Sequence, residues 1–412
     1  MRSPFSLKAL SVAIAALSIT SIASAAGLDR SGQDITAFLQ DGVYAEAVYT
    51  YIDADVTGND NAYVGTDNKA YIQGKNIDDI AESYDFFRYG VKADINDTFS
   101  IGVLYDEPFG AAADYVGDNN FVDQDLSSER NGEGTNVEVR TESLTGLLGA
   151  KLGTNKSFQV YGGPVAQRVK AEVKLRGPAY QAANGYTTNI SPDQAYGWIA
   201  GVAYSKPEIA LKAALTYRSE IEHTTNAAES YPTVANFPGF GPRSGDIEIT
   251  TPESVNFDFQ TGINPTTLAT AKVRWVPWSD FAIVPSLYND VSNLRPEFQP
   301  DGLPLVSYDD DQWQVELGLA KRVASALAIS GSIGWDSGAG DPVTSLGPIE
   351  GYYSAGLGAK YNVTENWAIS AGGKYLWFGD AKGQIPSKVT VSDFESNDGY
   401  VFGVKVSYQA AQ

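Results

Sequence analysis

Beyond its first 25 residues, nearly the whole chain alternates polar and apolar positions with a period of two, the signature of strands with two unlike faces. Ile209, Leu211, Ala213, Leu215 and Tyr217 share one face, while Lys212, Thr216, Arg218, Glu220 and Glu222 share the other. Trp313, Val315, Leu317 and Leu319 alternate with Gln312, Gln314 and Glu316, and Leu327, Ile329, Ile333 and Trp335 with Ser330, Ser332 and Gly334. Near the end, Tyr400, Phe402, Val404, Val406 and Tyr408 alternate with Val401, Gly403, Lys405 and Ser407.

The connections alternate too. Short polar links at 96–98, 153–157, 205–207, 263–266, 322–325 and 363–366 are separated by long segments centred near 70, 122, 185, 234, 300, 343 and 388. One strand on each side of every connection gives about fourteen, and an even number of antiparallel strands with short turns at one end and long loops at the other is the plan of an outer-membrane β-barrel. The fold class expected is all-β, a transmembrane antiparallel barrel with a short N-terminal plug. A soluble β-sandwich array or propeller also has many strands, but aromatic residues near strand ends suit the girdles of a lipid-facing wall; Trp275, Trp278, Trp335, Trp367 and Trp377 are the candidates.

The N-terminus carries Arg2 and Lys8, an apolar run to Ile22, then Ala23-Ser24-Ala25, the pattern of a secretory signal with an A-x-A cleavage site. Residues 1–25 are read as that signal, 26–42 as the plug or hatch segment and 43–412 as the barrel. The chain has no cysteine, 41 glycines, 24 tyrosines, one methionine and one histidine, and a net charge of −21 that argues against nucleic acid as a partner. No nucleotide-binding motif or metal-ligand cluster stands out, so neither cofactor nor metal is expected.

The third strand, from Phe99, alternates well until it meets Pro108-Phe109-Gly110. Proline removes a ladder donor and glycine a side chain, so the trio kinks the strand or ends it. Either it starts the loop above, or it bends the wall inward and leaves a gap, which is tolerated only where backbone lines a cavity.

"ALTYRSE" at 214–220, "TPESVNFDF", "GAKYNVTENWAISAGGKYLW" and the closing "GYVFGVKVSY" resemble the FadL family of outer-membrane transporters for long-chain fatty acids and hydrocarbons. The resemblance implies a fourteen-stranded barrel, an N-terminal hatch, and a kinked third strand that forms a lateral opening, here Pro108, Phe109 and Gly110. It also implies that the loops after the fifth and seventh strands capture ligand. The segment 26–42 is shorter than the hatch of better-known members and lacks an Asn-Pro-Ala motif.

The implied function is passive uptake of long-chain fatty acids or related hydrophobic compounds by a monomer in the bacterial outer membrane, among outer-membrane lipid and lipopolysaccharide, after insertion by the barrel assembly machinery. In the loop read at 223–246, Tyr231, Val234, Phe237 and Phe240 form an apolar cluster suited to ligand capture. The fourth strand is read with Glu138, Arg140 and Glu142 facing the lumen, and the fifth with Arg168, Lys170, Glu172, Lys174 and Arg176 facing it. Those charges either pair across strands or, with Arg218, receive a ligand head group. Leu28, Phe38 and Leu39 are the apolar plug residues. An outer-membrane hydrolase is disfavoured: His223 is the sole histidine, read as exposed, and no Gly-x-Ser-x-Gly elbow is present. A general diffusion porin is the competing reading.

Overall fold

The structure is a computed structural model, described for residues 28–61 and 71–410; the signal segment lies outside the described residues. Its strands are β1 (Tyr44–Asp55), β2 (Tyr84–Asp94), β3 (Phe99–Asp106 and Gly110–Asp114), β4 (Asn136–Leu152), β5 (Phe158–Lys174), β6 (Thr187–Lys206) and β7 (Leu211–Arg218 and Ile221–Ser230). They continue with β8 (Arg243–Thr251 and Ser254–Asn264), β9 (Thr267–Val276), β10 (Gln312–Arg322), β11 (Leu327–Asp336), β12 (Glu350–Asn362), β13 (Trp367–Gly379) and β14 (Asp398–Gln409). Each strand pairs antiparallel with the next, and β1 closes on β14 from Tyr44↔Gln409 to Asp55↔Asp398. Fourteen strands therefore form a closed barrel.

Outward residues between the two ends of the wall are apolar, as lipid requires. Aromatic side chains ring them at both levels: Phe99, Phe158, Tyr204, Tyr361 and Trp367 near the short turns, and Trp198, Trp313, Trp335, Tyr353, Trp377 and Tyr400 near the long loops, all at least 36% exposed. Trp275 lies beside Trp313 in the upper ring, the two rings tilted at 44°. Trp278 does not belong to it. It is fully buried inside the upper barrel, because Pro277 turns the chain inward after β9.

Inside, the lumen changes character with height. Its turn-side half holds charged groups such as Arg88, Glu46, Lys405 and Lys272, whereas its loop-side half is a continuous apolar core. Along β5 the alternation keeps its period but reverses its polarity. Phe158 and Val160 face outward near the turns, and farther up Val165, Val169, Ala171 and Val173 are buried inside while Arg168 and Lys170 are exposed. Where lipid surrounds the wall oil belongs outside, and where the strand rises into water oil belongs inside. The long loops add a five-stranded sheet built from Gly58–Asp60, Asn76–Ile77, Val343–Thr344, Ala381–Gln384 and Thr390–Phe394, plus a short helix α1 (Ser286–Ser292). Their apolar side chains merge with the upper lumen into one core.

The described part of the N-terminal segment packs inside the barrel. Ile35, Ala37, Phe38 and Leu39 pack with Tyr44, Leu104, Leu147 and Tyr161 in a separate lower cluster. Phe38 lies flush against Gly102 and Gly149, where any side chain on the wall would collide with its ring. Hydrophobic contact is backed by ion pairs: Asp29 with Arg274 at 2.7 Å, and Asp34 with Lys272 at 3.0 Å and Arg88 at 3.5 Å. Ser31 Oγ donates to Asp106 at 3.0 Å, and Asn256 Nδ2 donates to the Gly32 carbonyl at 2.8 Å. Below lies an open polar cavity of about 970 Å³ at the turn end.

Candidate ligand path at the third strand

The lower half of β3 pairs on both sides, ending at Tyr89↔Tyr105 with β2 and at Asp106↔Ser143 with β4. The ladder to β4 then resumes at Gly110↔Arg140, so between the two pairs β3 spends three residues where β4 spends two. This is the one-residue excess of a bulge. Gly110–Asp114 pairs with β4 alone, while Tyr84–Arg88 of β2 pairs with β1 alone. The wall thus has a window in its hydrogen bonding, closed again above by the Ala81↔Ala113 bridge.

The hatch answers the orphaned groups. Pro108, which has no N–H, accepts from Arg30 N at 2.8 Å, and Gly110 N donates to the Leu28 carbonyl at 2.7 Å. Phe109 keeps contact with β4: its N–H donates to Thr141 Oγ1 at 2.8 Å, and its carbonyl accepts from Thr141 N at 3.1 Å. Its ring turns into the lumen and meets Trp278 edge-on, with centroids 5.5 Å apart at 82°. Pro108, Phe109 and Gly110 therefore sit at the break, and the trio is buried, not the start of an exposed loop.

Two adjoining apolar cavities lie inside this window. One is bordered by Gly110, Ala111, Ala113, Val137, Val173, Tyr308 and Leu346, the other by Phe109, Val169, Ala171, Ile249, Trp278 and Phe281. Leu28, Val139 and Ile283 border both, and no charged side chain lines either. On the outer face Tyr49, Phe87, Tyr89 and Tyr105 form a chain of ring contacts 5.2 to 5.9 Å apart beside the window.

The remaining expected site residues fare unevenly. Leu28 belongs to the upper core at the cavities, whereas Phe38 and Leu39 belong to the lower cluster. Arg218 does face the lumen, where it donates to Thr145 Oγ1 at 3.1 Å. Arg140, Arg168, Lys170 and Lys174 do not: together with Glu138, Glu142 and Glu172 they point outward. Glu142 stands opposite Arg168 and Glu138 opposite Glu172, and the charges form an external ladder that includes Arg140–Glu138 at 2.8 Å and Lys174–Glu172 at 2.9 Å. The correction follows from the polarity reversal above the membrane, where water takes the charged face.

The loop after β7 is shorter than 223–246, since β7 runs to Ser230 and β8 starts at Arg243. Tyr231 is buried against Tyr186 and Tyr288, Val234 and Phe240 pack on the apolar core, and Phe237 alone of the four is open, at 62% exposed. Glu229 fixes this region: its carboxylate accepts from Tyr186 Oη at 2.8 Å and from the Leu287 and Tyr288 amides of α1 at 2.9 and 3.0 Å. His223 is fully buried rather than exposed, because β7 shifts its inward parity between Arg218 and Ile221; its ring nitrogens meet Asp193 and Gln167, each at 3.1 Å. Arg30 and Trp278 carry no motif that marks them as site residues.

The profile of the family described as outer membrane protein transport protein (OMPP1/FadL/TodX) matches residues 34–409. The chain belongs to this family. It is an outer-membrane transporter of hydrophobic compounds. Among solved structures, a Pseudomonas aeruginosa FadL homologue aligns with a TM-score of 0.69 at 16% identity, over 90% of this chain and 91% of that one. The Pseudomonas putida toluene transporter TodX aligns at 0.60 with 12% identity, over 91% and 92%, and the monoaromatic hydrocarbon channel CymD at 0.54 with 12% identity, over 90% of each. At these identities the likeness is one of fold. No curated protein sequence matches the chain.

Proposed function

We propose that this family member takes up long-chain fatty acids or related hydrocarbons passively, and that they leave the lumen sideways between β2 and β3. The observation that carries this reading is the coincidence of the unpaired stretch Tyr84–Arg88/Gly110–Asp114 with the neutral apolar cavities directly inside it. Straight passage is opposed by the hatch, held by buried ion pairs. It is also unfavourable for the ligand, since returning an alkyl chain to water costs about 0.8 kcal/mol per CH₂. A side exit delivers the chain to lipid instead. The hatch and the apolar core across the lumen weigh against a general diffusion porin.

A non-enzymatic, monomeric barrel, inserted by the assembly machinery among outer-membrane lipid and lipopolysaccharide, belongs to the same reading. His223 has both nitrogens engaged by neighbours and offers no free base. Replacing Pro108-Phe109-Gly110 by Thr-Val-Thr, which suits a regular strand, is expected to abolish uptake of long apolar substrates while the barrel still shows a heat-dependent gel shift. Uptake at the normal rate in a folded straightened variant refutes the sideways exit.

A further inference from the structure

The window between β2 and β3 is occupied by the side chain of Arg30. Its guanidinium stacks on Tyr84, with Cζ 3.9 Å from the ring centroid, and lies against Gly110 where a Cβ would collide with it. The residue is only 4% exposed, and its Nε has no hydrogen-bond partner among the described residues. The hatch meets other cations that are matched: Arg274 by Asp29, and Lys272 by Asp34 and Asp258. Among the described residues Arg30 makes no such ion pair. Glu107, which neighbours it, accepts from Phe87 N at 3.4 Å, and Arg140 is paired outside with Glu138.

A buried guanidinium whose neighbouring carboxylate, Glu107, stays outside ion-pair distance is held at a cost, and a carboxylate matches its planar fork with two parallel hydrogen bonds. Next to it the cavity lined by Leu28, Gly110, Ala111, Val137 and Val139 offers room for an alkyl chain and no charge for a head group. We propose that Arg30 receives the carboxylate of an amphiphilic ligand whose alkyl chain enters that cavity, and that this pairing draws the side chain out of the window. Arg30 is thus both bolt and head-group receptor. A neutral hydrocarbon gives the guanidinium no reason to leave Gly110, so the site favours fatty acids over alkanes and alcohols of equal length. The inference rests on the uptake reading for the apolar character of the ligand.

The test compares dodecanoate with 1-dodecanol, both for binding to the purified barrel in neutral detergent and for uptake by cells. The wild-type protein is expected to bind dodecanoate about tenfold more tightly, the scale of one charge-assisted hydrogen-bonded contact. Arg30→Met should erase that preference, leaving dodecanoate bound no more tightly than dodecanol, and Arg30→Lys should keep part of it. Should the methionine variant fail to fold, Arg30→Gln, which keeps a polar side chain of similar reach but removes the charge, should show the same loss. A preference that survives in Arg30→Met, or is absent from the wild type while dodecanol is still taken up, overturns the role of Arg30 alone. Failure of the wild type to take up either compound overturns the uptake reading as well.

Discussion

Asp29 and Arg274 face each other across the barrel interior in a two-point pair: Nε donates to Oδ2 at 2.7 Å and Nη2 to Oδ1 at 3.1 Å, with both side chains shielded from solvent. Asp29 also forms the isolated bridge to Phe109. One residue of the hatch is therefore tied at once to β9 through its side chain and to the kink of β3 through its backbone.

Removing one partner of such a pair strands a buried charge at a cost of about 3–5 kcal/mol. Arg274→Met should leave the Asp29 carboxylate with Gln314 Nε2 at 3.3 Å as its remaining donor and loosen the hatch. The expected outcome is higher conductance in planar bilayers and a gel shift at lower temperature, with part of both recovered in an Asp29→Asn/Arg274→Met double variant. Conductance and stability equal to wild type in Arg274→Met would show that the pair does not hold the hatch.

Gly102 is required by contact with Phe38, not by backbone conformation. Gly102→Val should force the Phe38 ring away at a cost of about 1–3 kcal/mol. Leakage of small sugars through cells carrying the variant measures this, and adding Phe38→Ala should restore part of the stability by making room. Undiminished exclusion of sugars and unchanged stability in Gly102→Val would place Phe38 outside the seal.

Tyr231 and Phe237 share a loop but differ in surroundings, so the same kind of truncation should separate them. Tyr231→Ala removes a ring packed between Tyr186 and Tyr288 and should cost about 3 kcal/mol, seen as faster proteolysis of the loop. Phe237→Ser should leave proteolysis unchanged and weaken binding of a labelled fatty acid by about 1 kcal/mol if the ring meets ligand. Equal affinity in Phe237→Ser and wild type removes that ring from capture.

Asp60, in the loop sheet beyond the membrane, accepts from Asn120 N at 2.9 Å, and burial pushes its carboxyl up to about 7. Because this value lies above that of the unfolded chain, the associated stability is complete below about pH 4, the ordinary aspartate range, and is lost as pH rises through about 7. Hydrogen exchange of the Gly58–Asp60 and Thr390–Phe394 amides, corrected for intrinsic rates, should be slower at pH 5 than at pH 8, with Asp60→Asn flattening the difference. The same pH dependence in Asp60→Asn would assign it to another group.

The period-two pattern was enough to determine the number of strands, the alternation of turns and loops, and the outward faces of β10, β11 and β14. Each of these follows from local chain geometry set against a single lipid exterior. The same pattern could not say which face of β5 points inward above the membrane. Val169, Ala171 and Val173 read identically as lipid-facing or lumen-facing, and only the height of each residue relative to the bilayer selects between them. That error moved Arg140, Arg168, Lys170 and Lys174 into a lumen they do not touch. The break at Pro108-Phe109-Gly110 was visible because proline and glycine act on their own backbone. Its partners were not: Leu28, Arg30 and Trp278 reach it from distant parts of the chain through packing and hydrogen bonding that exist only once the barrel has closed around the hatch.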